Sequence, residues 1–187
     1  MLDFNVMCDE QTGALYIETS ISGKHLLTLP QLNKSTAFTN EERQSFGLLG
    51  KLPNRVETLE EQVRRTYLQF SSYTSHLQKN IYLNNLNDKN QILFYELVRQ
   101  HLGEMLPIIY TPIVGTAVKR FSHEYRQPRG LYLTHTDENQ LADIIKNRSN
   151  PEIDVIVVTD GEGVLGIGDQ GIGGMDIPVA KLMVYSL

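Results

Sequence analysis

Two polar residues sit where their surroundings would change what they can do chemically. In the stretch "MLPIIYTPIVGTAVKRF", Tyr110 comes directly before Thr111 and Pro112. Threonine is a favoured N-cap and proline suits the first helical position, so a helix is expected to begin here. Its apolar face would comprise Ile113, Val114, Ala117, Val118 and Phe121. The positive end of that helix dipole favours a phenolate, the form tyrosine takes once it has given up a proton as an acid. The same pattern fits an aromatic staple at a helix start. Lys181 is the only charged side chain in "IPVAKLMVYSL", residues 177–187. Burial penalises an ammonium and favours the neutral amine that a general base needs. The position fits equally a lysine whose stem covers apolar surface while its head reaches water.

A third candidate is the loop "GVLGIGDQGIGGM", residues 163–175, in which Gly166, Gly168 and Gly171 spell G-x-G-x-x-G. A dinucleotide turn needs a strand immediately before the first glycine, a helix at its end and an acidic residue about 20 positions on. Here the expected strand ends near Thr159, and Gly173 and Gly174 intervene before Asp176 can cap a helix. The acidic position would fall at or beyond residue 187. The spacing therefore reads as a turn-rich loop between strand and helix, of the kind that often lines ligand sites. His25, His76, His101, His123 and His135 are scattered without metal-ligand spacing, and the single Cys8 leaves no internal disulfide or multi-cysteine metal site.

The elements that must position these residues fall into two patterns. "ALYIETSIS" near the N-terminus suggests weak strand or extended structure. Thr39 with Glu42, and Thr58 with Glu61, are capping boxes that open a short and then a longer helix. The longer one buries Leu59, Val63, Tyr67, Phe70, Leu77 and Ile81 on one face, and a third helix covers "QILFYELVRQHLGEML". Beyond residue 129 the pattern changes. "GLYLT" (130–134) and "DVIVVTD" (154–160) read as buried strands flanking a helix over "ENQLADIIKNR", which Asp137 and Gln140 can cap. Strand, helix, strand is a parallel βαβ unit, expected to be right-handed. The fold class is thus α/β: a helical N-terminal region followed by an incomplete parallel βαβ sheet unit, whose open edges call for further chain or partners.

Seventeen Lys and Arg against 22 Asp and Glu give a net charge of −5, and no basic run marks a nucleic-acid footprint. No apolar run is long enough to span a bilayer. "MLDFNVMCDE" has neither the basic nor the apolar region of a secretory signal, so a cytoplasmic protein is expected, without nucleic-acid or membrane partners.

Four segments together resemble the malic enzyme family: "LNKSTAFTNEER" (32–43) with "GLLGKLP" (47–53), "LPIIYTPIVG" (106–115), "PRGLYLT" (128–134) and "VVTDGEGVLGIGDQGIGGMDIPVAKLMVY" (157–185). They occur in the family's order and span nearly the whole chain. The resemblance implies oxidative decarboxylation of L-malate to pyruvate and CO2, with NAD or NADP and Mg2+ or Mn2+ in the full-length enzyme. It implies that Tyr110 is the general acid that protonates enolpyruvate and that Lys181 is the general base on the malate hydroxyl. It also implies a homodimer or tetramer built through the N-terminal helices. Residues 1–105 would be the mostly helical dimerisation region and 106–187 the first part of the substrate-side α/β domain.

Three departures from the family pattern matter. Many members read "TDGERILG", whose arginine helps bind substrate or cofactor; Gly163 stands at that position. Asp176 and Ala180 replace small glycines, and an acidic residue at the first of these also occurs in the related malolactic enzymes. Those typically read Y-D-P, so Thr111 favours a malic over a malolactic enzyme. Finally, the family's metal-holding carboxylates and NAD-binding domain lie C-terminal to Lys181. The chain is therefore expected to be the N-terminal portion of such an enzyme, with no metal ligands of its own, no tightly bound cofactor and no decarboxylation in isolation. A malolactic fragment and a non-catalytic dimerisation module are the alternatives.

Overall fold

The computed structural model describes residues 4–148, 153–164 and 166–187, so Leu165 of the glycine-rich segment lies outside the described residues. In chain order the elements are strands β1 (Phe4–Cys8) and β2 (Leu15–Thr19), then helices α1 (Gly23–Leu26), α2 (Asn40–Ser45), α3 (Leu59–Ser72), α4 (His76–Asn87), α5 (Gln91–Gln100), α6 (Leu102–Ile109), α7 (Ile113–Lys119), α8 (Leu141–Lys146) and α9 (Asp176–Tyr185). They divide into two compact units, one of Met1–Ser22 with Pro128–Ile156 and one of Gly23–Gln127 with Val157–Leu187.

The second unit is a helical body. Both capping boxes form as the sequence requires: Thr39 and Thr58 each accept the backbone N–H of the glutamate three residues on, and each glutamate reaches back to the cap's own N–H. Where α3 to α6 meet, Val63, Phe70, Leu83, Phe94, Leu97, Met105 and Ile109 are buried together, and Met183 joins them from α9. Fully burying side chains of this size contributes about 1.5–3 kcal/mol each.

Two helices expected to be continuous are broken. The long helix stops at Ser72, and α4 starts at His76. "SSYTS" supplies hydroxyls that compete for backbone groups, and Ser72 Oγ donates to the Gln69 carbonyl at 2.7 Å. The helix over 91–106 is likewise interrupted at His101, whose backbone leaves helical geometry and whose ring stacks on Tyr67 at 3.8 Å.

Ahead of α3 the chain wraps around one arginine. Arg43 is 4% exposed and donates to the carbonyls of Phe38, Pro53, Asn54, Thr36 and Arg55 at 2.7–3.2 Å. No carboxylate is involved in these five bonds, so the guanidinium is satisfied by backbone alone.

The first unit contains the antiparallel hairpin β1–β2, with Val6 opposite Ile17. Its turn is held by Asp9, whose Oδ1 accepts from Gln11 N–H at 3.0 Å and Thr12 N–H at 2.8 Å, which lowers its pKa. Residues Thr134 to Lys146 form a 3-10 turn leading into α8. It is Thr134 that precedes the turn, with the Asp137 carboxylate accepting its N–H at 2.7 Å, rather than Asp137 capping the helix itself.

The expected parallel βαβ unit does not form among the described residues. The hairpin is the only sheet there, and neither 130–134 nor 153–160 has a ladder partner. Leu133, Ile153, Val155, Ile156 and Val158 are exposed, Val158 to 84%. Strand propensity is a preference for a half-buried pleated surface, and a parallel pair needs both faces covered to persist. That cover is missing for these side chains.

Candidate active site

Tyr110 occupies the junction between two helices. Its N–H donates to the Leu106 carbonyl at 2.9 Å, closing α6, and its own carbonyl accepts Val114 N–H at 2.7 Å, opening α7. Thr111 is not the N-cap: α7 starts one residue later than the sequence suggested, after Pro112, and no side chain caps it. The tyrosine therefore lies between the negative end of α6 and the positive end of a seven-residue helix. The one-sided dipole field expected from sequence is replaced by two opposed ones.

Lys181 lies mid-way along α9, half-buried and without an ion pair among the described residues. The segments that carry the two residues share one small cluster. Val114, Val118 and Ala180 form a small buried cluster, and Tyr110, Ile167 and Ile177 pack against it. Tyr110 thus packs on the same small cluster to which α9 contributes Ala180, the residue directly before Lys181. α9 also contacts α6, α7 and the 3-10 turn that precedes it.

The glycine-rich loop builds the floor between these elements. Gly168 N–H donates to the Val164 carbonyl at 2.8 Å, turning the chain back on itself, and Gln170 N–H donates to the Gly161 carbonyl at 2.8 Å. Gly161 has φ +74°, and a Cβ there would collide with the carbonyl oxygen of Gly171. A Cβ on Gly174 would lie 2.8 Å from the Gly161 Cα. These glycines are needed for backbone-on-backbone contact within the loop. A 3-10 turn over Gly171–Met175 then leads into α9, which begins at Asp176 itself with no side-chain cap. Among the described residues no strand leads into Gly166 and only the 3-10 turn, not an α-helix, starts at Gly171, so they do not form the strand–turn–helix geometry of a dinucleotide site. Gly163 is exposed, with nothing within 4 Å of a Cβ built on it, so the loop has room for a side chain there.

Arg126 and Asn80 were not singled out by the sequence, yet they adjoin this region. Arg126 Nη1 pairs with Asp176 Oδ2 at 3.2 Å, and the two side chains are 14% and 17% exposed. Arg126 Nη2 reaches Asn80 Oδ1 at 3.5 Å, and Asn80 Nδ2 donates to the Ile108 carbonyl at 2.8 Å. No local pattern announces a contact over 50 residues. The only signal was Asp176, as a charged residue where the family often has glycine.

No group of three or more His, Cys, Asp or Glu among the described residues is arranged to hold a metal ion. No helix is long and apolar enough to cross a membrane among the described residues.

The family model for the malic enzyme N-terminal domain matches residues 87–187, which include Tyr110, the glycine loop and Lys181. The chain belongs to the malic enzyme family. It is 52% identical to NAD-dependent malic enzyme 2 of Vibrio vulnificus over 165 residues, covering 88% of this chain and 30% of that protein. It is 51% identical to NAD-dependent malic enzyme of Aeromonas salmonicida over 178 residues, 95% of this chain and 31% of that protein. With NAD-dependent malic enzyme 3 of Bacillus subtilis the identity is 51% over 172 residues, 91% of this chain and 30% of that protein. The chain thus spans about 30% of the length of these malic enzymes.

Proposed function

We propose that this chain is the N-terminal catalytic portion of an NAD-dependent malic enzyme, which converts L-malate to pyruvate and CO2. Lys181 acts as general base, taking the proton of the malate hydroxyl as the alcohol is oxidised. Tyr110 acts as general acid, protonating the enol of pyruvate after CO2 leaves. The observation that supports this reading is that Tyr110 packs on a cluster that also contains Ala180, the residue before Lys181. Apolar neighbours cover part of each residue, and general acid–base transfer needs such groups held in fixed positions.

Malic enzymes use a nucleotide and a divalent cation, and no three His, Cys, Asp or Glu among the described residues are arranged to hold the cation. Their binding falls to the roughly 70% of the relatives' length that this chain does not match. In the same reading residues 1–105 make the subunit contacts of a cytoplasmic homo-oligomer, 106–187 form the substrate side, and Gly163 marks the position of the family's arginine. The relatives are named malic enzymes and Thr111 keeps the Y-T-P form, which favours this over the malolactic reaction.

Steady-state assays of the complete enzyme with malate, NAD and Mn2+ test the roles. Tyr110→Phe and Lys181→Met are each expected to lower kcat by about 10²–10⁴-fold. A kcat within about twofold of the parent for either variant overturns the role given to that residue.

A further inference from the structure

α9 has a property that hydrophobic packing leaves unresolved. Ile177, Val179, Ala180, Leu182, Met183 and Val184 distribute apolar side chains all round it, so no polar face tells the helix which way to turn. Apolar contact is non-directional. A rotation of α9 would exchange one aliphatic contact for another, while carrying the Lys181 amine away from its working position. Something directional must set the rotation.

We infer that Arg126 is a positioning residue for the reaction, fixing α9, and with it Lys181, relative to Tyr110 through a polar bridge to Asp176 and Asn80. The bridge joins the two ends that matter. Asp176 is the first residue of α9, five before Lys181, or about 7.5 Å along a helix axis. Asn80, 2% exposed, holds the carbonyl of Ile108, two residues before Tyr110 in the last turn of α6. Arg126 connects them, with one Nη on the Asp176 carboxylate at 3.2 Å and the other on the Asn80 amide oxygen at 3.5 Å.

This bridge is poorly explained as a source of stability. Its contacts are long, and Arg126 Nε is buried without a hydrogen-bond partner. Taking a carboxylate and a guanidinium out of water breaks even at best against apolar packing, whereas the fork of a guanidinium gives direction. The negative carboxylate also suits the positive end of α9, so the pair carries a preferred geometry as well as a preferred charge.

The inference rests on the malic enzyme reading, and the complete enzyme tests both separately. Asp176→Asn, Arg126→Met and the double variant are assayed for kcat and KM with malate, NAD and Mn2+, alongside thermal melting. Each single variant is expected to lose about tenfold to a hundredfold in kcat, as a displaced catalytic group does. KM for malate should move less than about threefold. The double variant should be no worse than the poorer single, because both remove one bridge. A kcat within about twofold of the parent for both singles, or losses that multiply in the double, overturns the inference. Where a variant fails to fold, Arg126→Lys is read instead. It keeps the charge and loses the fork, so reduced kcat at parental melting temperature supports the bridge, and parental kcat overturns it. Absence of malate turnover by the parent enzyme overturns the malic enzyme reading itself, and the positioning role with it.

Discussion

Two arginines in one helical body, Arg43 buried and Arg126 largely so, are held in opposite ways. Arg43 is surrounded by its own stretch of chain, and its bonds go to five backbone carbonyls between Thr36 and Arg55. Arg126 reaches 46 residues back to Asn80 and 50 residues ahead to Asp176, with one nitrogen left over. The first arrangement is dense and satisfied, and it stabilises a fold. The second is sparse and directional, and its use lies in where it places α9. Burial of a charge therefore says little until its partners are named.

The comparison can be broken from either side. Replacing Arg43 with Met removes the side-chain donor from five carbonyls, of which Thr36 keeps the Glu57 N–H, and is expected to cost about 2–4 kcal/mol in urea unfolding of the chain. A cost under about 1 kcal/mol would put Arg43 in the same class as Arg126. Gly161→Ala tests whether the loop under α9 depends on close backbone contact. The added Cβ meets the Gly171 carbonyl at a positive φ, and a loss of about 2–4 kcal/mol is expected in the same measurement. Parental stability would show that the loop yields, and that it does not hold α9.

A surface pair gives the smallest effect and a reference for both arginines. Hydrogen bonds from Arg99 and then Gln100 hold the Glu96 carboxyl down at about 2, against an ordinary value of 4.5. A lowered folded-state pKa contributes stability that is present above about pH 4.5 and is lost as pH falls towards 2. Arg99 is 68% exposed, so solvent screening keeps the contribution under about 1 kcal/mol. Stability measured against pH should fall less steeply in that window for Glu96→Gln than for the parent. Identical slopes would mean that this pair contributes nothing measurable.

Much of the helical body was legible because its signals are local. A threonine and a glutamate three residues apart satisfy each other's backbone neighbours whatever the rest of the chain does, so α2 and α3 begin where Thr39 and Thr58 require. The helix breaks at Ser72 and His101 were not legible from apolar spacing, since the periodic positions run straight through both. The βαβ expectation failed for a different reason. "VIVV" favours a strand, but a strand is made by its neighbours, and Val155, Ile156 and Val158 have none among the described residues. Of the candidate site, Tyr110 and Lys181 were legible from unusual polar placement and from family resemblance, while Asn80 and Arg126 were not.

The sequence by itself determined the helix starts, the turn-forming glycine loop, the placement of Tyr110 before a helix and the placement of Lys181 within one. Each depends on residues within a few positions of one another, and such interactions are already available in a short segment of chain. Only the tertiary structure decided which carbonyls surround Arg43, that Tyr110 and Ala180 share one small cluster, and which partners Arg126 takes. A guanidinium accepts any well-placed oxygen, and an all-apolar helix accepts any rotation. For both, the choice is made by the packing of distant segments, which no local pattern encodes.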